Sequence, residues 1–165
     1  MRHWIPDAWE FGDRSRQPPA DPVNALLSWG YGVLLGRMFA IAVQAGFDPY
    51  LGFFHATEPY RPNLVLDLME EFRPVIVDQA VISTIHSGLL TTDDFEPSPD
   101  GMGVWLGKMG KKVFLAQLDR QFQKRMRYAP QNRRLAMSQI TLEQARWAGR
   151  CLVAQDLDYG GFLIR

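Results

Sequence analysis

The sequence predicts a mostly α fold: a helical domain with one small β-hairpin. Three observations lead to this class. Apolar residues recur at helical spacing through four segments. Only the stretch around Asp100-Gly101 combines hairpin turn chemistry with flanking apolar residues. Of 165 residues, 47% are apolar, enough for one domain to bury a core. Charged residues make up 22% and no segment is of low complexity, so global disorder is excluded. Cys151 is the single cysteine, which rules out an intrachain disulfide and a cysteine-based zinc site.

Residues 1–22 read as an irregular, proline-rich lead-in, because Pro6, Pro18, Pro19 and Pro22 lack amide protons and fix φ. Residues 23–165 form the helical domain. Asp21 is placed to cap a first helix and Pro22 suits its first position. Leu27, Tyr31, Leu34, Met38, Ile41 and Ala45 then follow one helical face, and Gly46 ends it. Gly30 and Gly36 inside this helix cost roughly 1 kcal/mol each relative to Ala. Close approach of another helix or of a ligand is the expected compensation. The most apolar run, Val33 to Ala45, is broken by Arg37 and falls short of the roughly 20 residues that span a bilayer. The start Met1-Arg2-His3-Trp4 carries no secretory signal.

Phe47 to Pro62 is a connector with His55 in its middle. Asn63 caps a second helix whose stripe is Leu64, Leu68, Phe72, Val75, Ile76 and Ile82, with a kink at Pro74. Phe95 and Val104–Leu106 flank the Asp100-Gly101 turn as short strands. A basic helix follows from Lys111 to Arg127, then a loop over 128–137, then a last helix from Ser138 to Leu157. Cys151, between Trp147 and Val153, reads as core.

Net charge is zero, but the halves differ. Residues 1–100 hold 6 Lys+Arg and 14 Asp+Glu, and residues 101–165 hold 12 and 4, so the halves carry −8 and +8. An acidic half suits cations and a basic half suits phosphates; the simpler reading is a water-facing surface of uneven charge. The basic half is concentrated in Lys108, Lys111, Lys112, Arg120, Lys124, Arg125, Arg127, Arg133 and Arg134, with Phe114, Phe122 and Tyr128 interleaved. Cations on one helix face would neutralise phosphates.

His55 is followed by Asp67, Glu70 and Glu71 near the start of the second helix. Spacings of three and four put the carboxylates on one face, where like charges repel. A helix N-terminus offsets part of this repulsion, and a bound cation would offset it fully. One imidazole with hard carboxylate oxygens suits Mg²⁺ or Mn²⁺, which can polarise a phosphodiester. The competing reading is a solvated helix face beside a loop histidine.

Three stretches carry a resemblance: Arg16-Gln17-Pro18-Pro19-Ala20-Asp21-Pro22-Val23-Asn24-Ala25-Leu26-Leu27-Ser28, Ala45-Gly46-Phe47-Asp48-Pro49-Tyr50-Leu51-Gly52-Phe53-Phe54-His55, and Leu66-Asp67-Leu68-Met69-Glu70-Glu71-Phe72-Arg73-Pro74. In this order they resemble the CRISPR-associated spacer-acquisition integrase family, also described as metal-dependent DNA endonucleases. Phe95-Glu96, Gly110-Lys111-Lys112 and Phe114 fit the same pattern, so the resemblance covers nearly the whole chain. It implies the helical C-terminal catalytic domain of a prokaryotic, cytoplasmic protein. That protein joins short DNA segments into a CRISPR array by attack of 3′-hydroxyls on phosphodiesters. By the same resemblance, His55 and Glu70 are Mg²⁺ or Mn²⁺ ligands, Asp67 supports them, and Tyr31 and Asn24 line the pocket. On the catalytic reading, Arg61, Arg73, Lys111, Lys112, Lys124 and Arg125 are expected to meet the phosphates of double-stranded DNA. The implied assembly is a homodimer with a small ferredoxin-like partner.

One departure is specific. The family's first metal-binding Glu precedes the proline-rich lead-in, and Glu10 lies too close to that lead-in to match it. The resemblance therefore implies a chain that begins after this Glu and lacks the N-terminal β domain, with weak or no integration alone. The alternative is a non-catalytic helical DNA-binding or assembly module. Both ligand types must be deprotonated to hold a metal, and an ordinary His titrates near pH 6.5. Mn²⁺-dependent DNA cleavage is expected to fall below neutral pH; a rate that stays flat to pH 5 would remove His55 from the ligand set.

Overall fold

The first helix forms where its caps place it. In the computed structural model α1 runs Pro22–Gln44, the Asp21 carboxylate accepts from the Asn24 amide at 2.8 Å, and Gly46 turns the chain out at φ +89°. An Asp oxygen on the third amide of a helix satisfies a donor that has no intrahelical partner. The structure describes residues 2–15, 18–50, 62–154 and 159–162.

Over the described residues the chain holds five α-helices and two two-stranded antiparallel sheets. After α1 come α2 (Asn63–Glu70), a π-helical stretch at Arg73–Asp78 and α3 (Gln79–His86). The first hairpin pairs β1 (Phe95–Pro97) with β2 (Val104–Leu106), and α4 spans Lys108–Gln123. The second hairpin pairs β3 (Arg125–Tyr128) with β4 (Arg133–Ala136), and α5 covers Met137–Ala154. Short 3₁₀ turns at Arg2–Trp4 and Asp7–Trp9 are the only regular structure described ahead of α1.

The mostly α class stands, and the hairpin expected around Asp100-Gly101 is present, its register pairing Phe95 with Leu106 and Pro97 with Val104. Gly101 takes φ +69° in its turn, where the Ser98 hydroxyl and the Met102 amide donate to Asp100 and hold its carboxyl below the usual range. The kink expected at Pro74 is realised as the π stretch, because proline leaves one helical hydrogen bond unmade. Two boundaries differ from the sequence reading. The basic helix stops at Gln123, and the segment expected as helix end and loop is the β3–β4 hairpin, so there are two hairpins rather than one. Asn63 does not cap α2; it is the helix's first residue, buried, and Pro62 precedes it without a side-chain cap. The expected end of the last helix at Leu157 lies outside the described residues.

The chain packs as two units. The first comprises Met1–Gly32 and Pro74–Gln121, and the second Val33–Arg73 and Phe122–Arg165. Buried in the first are Leu26, Leu27, Val77, Val81, Phe114 and Leu118; in the second, Leu34, Met38, Leu68, Phe72, Phe122 and Ile140. Each such side chain contributes about 1.5–3 kcal/mol relative to exposure. Cys151 is buried, as expected of a core residue. α1 is longer than the apolar run read from sequence and, by length and composition alone, is enough to cross a bilayer. A core helix passes the same test, and Leu26, Leu34 and Met38 are wholly inside the protein.

The two α1 glycines separate cleanly. A Cβ on Gly30 would lie 2.7 Å from Val77 Cγ1 and 3.2 Å from Phe114 Cε1, whereas one on Gly36 meets nothing within 4 Å. Valine is stiff at χ1 and cannot swing aside. Overpacking costs about 1–3 kcal/mol and exceeds the helix propensity that alanine returns. Urea unfolding should show Gly30→Ala destabilised by about 1–2 kcal/mol and Gly36→Ala stabilised by up to about 1 kcal/mol, with unchanged denaturant slopes.

Candidate metal and nucleic-acid site

In the first unit, Asn24 is fully buried and fully engaged. Its Oδ1 accepts from Arg14 Nη1 at 2.8 Å and the Ser15 amide at 3.0 Å; its Nδ2 donates to Asp21 Oδ2 at 2.6 Å and the Asp13 carbonyl at 2.9 Å. The Arg14 guanidinium also sits 5.6 Å from the centre of the Tyr31 ring, whose hydroxyl donates to Asp78 Oδ1 at 2.7 Å. Asn24 and Tyr31 are thus joined through Arg14 into one polar chain from Asp21 to Asp78. Sequence reasoning singles out neither Arg14 nor Asp78. Asp78 is 47 residues from Tyr31, and spacing alone carries no trace of such a pair.

Asp67 and Glu70 belong to the second unit, on α2. α2 ends at Glu70, so the acids lie in its last turn, not near a helix start as the sequence suggested. A carboxylate there meets the negative end of the helix dipole. Arg73 supplies the offset: its Nη1 is 2.8 Å from Glu70 Oε1, with the Glu70 side chain 53% exposed. Arg73, expected on DNA, is in this structure the partner of Glu70.

Glu71 does not share the outward face. Its Oε1 accepts from the Tyr159 hydroxyl at 2.7 Å, and its Oε2 accepts from the Phe162 amide at 3.0 Å and Gln144 Nε2 at 3.2 Å. Gln144, 1% exposed, also accepts from the Tyr128 hydroxyl at 2.7 Å. Burial, then the bond to Glu71, pushes the Tyr159 phenol far above its usual value, and burial raises Tyr128 as well. The acidic trio of the sequence is therefore one exposed carboxylate, one half-buried (Asp67), and one committed to holding the C-terminal segment.

The basic segment divides in the same manner. Lys111, half-buried, and Lys112, exposed, are on α4 in the first unit; Lys124 and Arg125 are exposed in the second. Phe114, Phe122 and Tyr128 are 0%, 3% and 2% exposed, so they are core and not surfaces for stacking bases. On the outer face of the β3–β4 hairpin, Arg127 lies directly opposite Arg134. Like charges opposed across strands are destabilising. The guanidiniums are pinned by neutral acceptors: Arg125 Nη2 to the Arg134 carbonyl at 2.9 Å, Arg134 Nη2 to the Arg125 carbonyl at 3.1 Å, and Arg127 Nη2 to Asn132 Oδ1 at 2.8 Å. Asn132 reaches that position in the left-handed region at φ +48°.

His55 and Arg61 lie outside the described residues. Among the described residues no group of three or more His, Cys, Asp and Glu side chains converges as a metal site. What the structure supplies toward one is the exposed Glu70 carboxylate with Asp67 one turn before it, hard oxygen donors of the kind Mg²⁺ and Mn²⁺ take.

A family model described as CRISPR associated protein Cas1 matches residues 1–120. The chain is 37% identical over 161 residues to CRISPR-associated endonuclease Cas1 3 of Thermus thermophilus, covering 98% of this chain and 48% of that protein. It is also 37% identical over 158 residues to a CRISPR-associated exonuclease Cas4/endonuclease Cas1 fusion of Geobacter sulfurreducens, covering 95% of this chain and 28% of the fusion. Among solved structures, a casposase bound to integration product shares the fold, with TM-score 0.85 at 24% identity over 99% of this chain and 48% of that one. A Cas6-RT-Cas1–Cas2 complex matches with TM-score 0.81 at 27% identity over 97% of this chain and 17% of that one. The chain spans about half the length, or less, of these relatives.

The Tyr159 proton carries a pH signature. A phenol whose pKa is raised on folding gives stability that is complete below the ordinary tyrosine range near pH 10 and is lost as pH climbs toward the folded-state value. Between pH 10 and 12 the wild type should lose stability more steeply than Tyr159→Phe, read as the pH dependence of the urea midpoint.

Proposed function

The chain belongs to the CRISPR-associated Cas1 family, and from that premise we propose that it is the helical, active-site portion of a metal-dependent DNA integrase of CRISPR adaptation. Such an enzyme joins a DNA 3′-hydroxyl to a phosphodiester, one P–O bond forming as another breaks. The observation that carries the reading is the Glu70–Arg73 pair at the end of α2, an exposed carboxylate held in place by one cation. Glu70, with His55, would hold a Mg²⁺ or Mn²⁺ ion, and Asp67 would add negative charge one turn away. When bound, such an ion polarises the phosphodiester and lowers the pKa of an attacking hydroxyl.

The chain's own residues do the rest of the work. Arg73 neutralises part of the acidic charge and fixes the Glu70 carboxylate. Asn24, buried, and Tyr31, half-buried, belong to a polar chain through Arg14 that orders the start of α1. Lys111, Lys112 and Lys124 meet DNA phosphates, as does the arginine face of the second hairpin. Those arginines point outward with no carboxylate partner among the described residues, an arrangement that favours an anionic surface. The complex named Cas6-RT-Cas1–Cas2 supports a CRISPR-associated partner for this chain, and the family match supports a prokaryotic setting, which we take to be the cytoplasm. The second reading, a DNA-binding module without chemistry, is favoured by the same hairpin, which needs no metal to grip phosphate.

Titration with Mn²⁺ and short duplex DNA separates the two. Glu70→Gln should abolish Mn²⁺ binding and metal-dependent cleavage while leaving DNA affinity within about twofold, since it removes no phosphate contact. Replacing Arg127 and Arg134 together by Gln should flatten the salt dependence of DNA binding by about 2 in log–log slope. DNA binding and cleavage that ignore both metal and Glu70 would sink the catalytic reading.

A further inference from the structure

We propose that the C-terminal segment Tyr159–Phe162 is a positioning element for the Glu70 carboxylate, acting through Glu71 and Phe72. The inference rests on Glu70 as a metal ligand. Glu70 closes α2, and the two residues after it are each clamped by this segment. Glu71 takes the Tyr159 hydroxyl and the Phe162 amide on separate oxygens, at 2.7 and 3.0 Å. Phe72, 0% exposed, stacks on the Phe162 ring at 5.6 Å between centroids and 23° between planes. One polar clamp and one apolar clamp therefore hold consecutive residues, and the next residue along is Arg73, the partner of Glu70.

The mechanical consequence follows from where Glu70 sits. Regular α-helix stops at Glu70, where the Phe72 amide donates to the Met69 carbonyl at 3.0 Å in the turn leading to the π stretch, and a carboxylate at that end gains nothing from the dipole. What keeps Glu70 in one place is thus the structure that follows it. With the clamp in place the turn at 71–72 is ordered before a metal arrives. Without it, the cost of ordering moves to the binding event and affinity drops. Gln144 braces the clamp from α5, donating to Glu71 and to the Gly160 carbonyl at 3.3 Å. Gly161 fits close against it: a Cβ there would lie 3.5 Å from Glu71 Oε1. Tyr159 and Phe162 touch no reacting group in this scheme, so they are positioning residues.

The test is Mn²⁺ affinity by isothermal calorimetry on the full chain, well below its melting temperature, for wild type, Tyr159→Phe, Glu71→Ala, Glu70→Gln and Gly30→Ala. Glu70→Gln should show no measurable binding. Tyr159→Phe should weaken binding by about 10-fold, in the range for loss of a supporting contact behind a ligand, and Glu71→Ala by more. Gly30→Ala lowers stability in the other unit and should keep wild-type affinity, which separates positioning from general destabilisation. Affinity within about twofold of wild type in Tyr159→Phe, with binding lost in Glu70→Gln, overturns the positioning role and leaves the metal reading standing. Wild-type affinity in Glu70→Gln overturns both. If Glu71→Ala does not fold, Tyr159→Phe decides alone.

Discussion

A half-buried carboxylate must be met by donors, and in the second unit that requirement organises the packing around Glu71. Three donors converge on it from positions 73, 88 and 91 residues further along the chain. Hydrogen bonds to a charged group contribute about 1.5–3 kcal/mol each, and leaving a buried charge unmet costs more than any one of them returns. The bonds therefore act as a set. They tie the turn after α2, α5 and the C-terminal segment to one point, and the Tyr128–Gln144 bond extends the tie to the second hairpin. The arginines on the outside of that hairpin are displayed by a scaffold whose inside answers to Glu71.

The first unit is organised differently, around a cation. Arg14 comes from an irregular stretch with no secondary structure of its own, yet it donates to Asn24 and covers Tyr31. The proline-rich segment is thus held by side-chain bonds to α1 and not by secondary structure of its own. Elsewhere on α1, absence of a side chain does the equivalent task, since Gly30 admits Val77 and Phe114 to van der Waals contact with the backbone.

Features with a local physical cause were legible in the sequence. The Asp21-Pro22 start of α1, its stop at Gly46, the Asp100-Gly101 hairpin and the break at Pro74 each depend on one or two residues whose backbone preferences decide the outcome. The second hairpin was legible in principle. Met126, Tyr128 and Leu135 alternate inward with arginines between them, and Pro130 and Asn132 supply the turn, but a run of cations reads equally well as a solvated helix face. The roles of Glu71, Arg14 and Asp78 were not legible, because each is defined by a partner far along the chain. Helical spacing grouped Glu70 with Glu71, although neighbours on a helix point about 100° apart. Asn24 and Tyr31 were named by resemblance alone, and the geometry supplies the bonds that explain their residue types. His55 lies beyond the described residues, so the metal pair stands on Glu70 alone.

The length and apolarity of α1 also bear on how the protein is made. Its 23 residues leave the ribosome long before Val77 and Phe114 exist to pack against Gly30. For that interval the nascent chain exposes a segment resembling one that membrane-insertion machinery accepts. Arg37 lies near its middle, where a cation opposes insertion by about 2.5–3.5 kcal/mol. In the finished protein the same guanidinium rests 4.4 Å from the centre of the Phe122 ring. The charge that would oppose insertion of the emerging helix is thus the one that packs against an aromatic neighbour once the protein has folded.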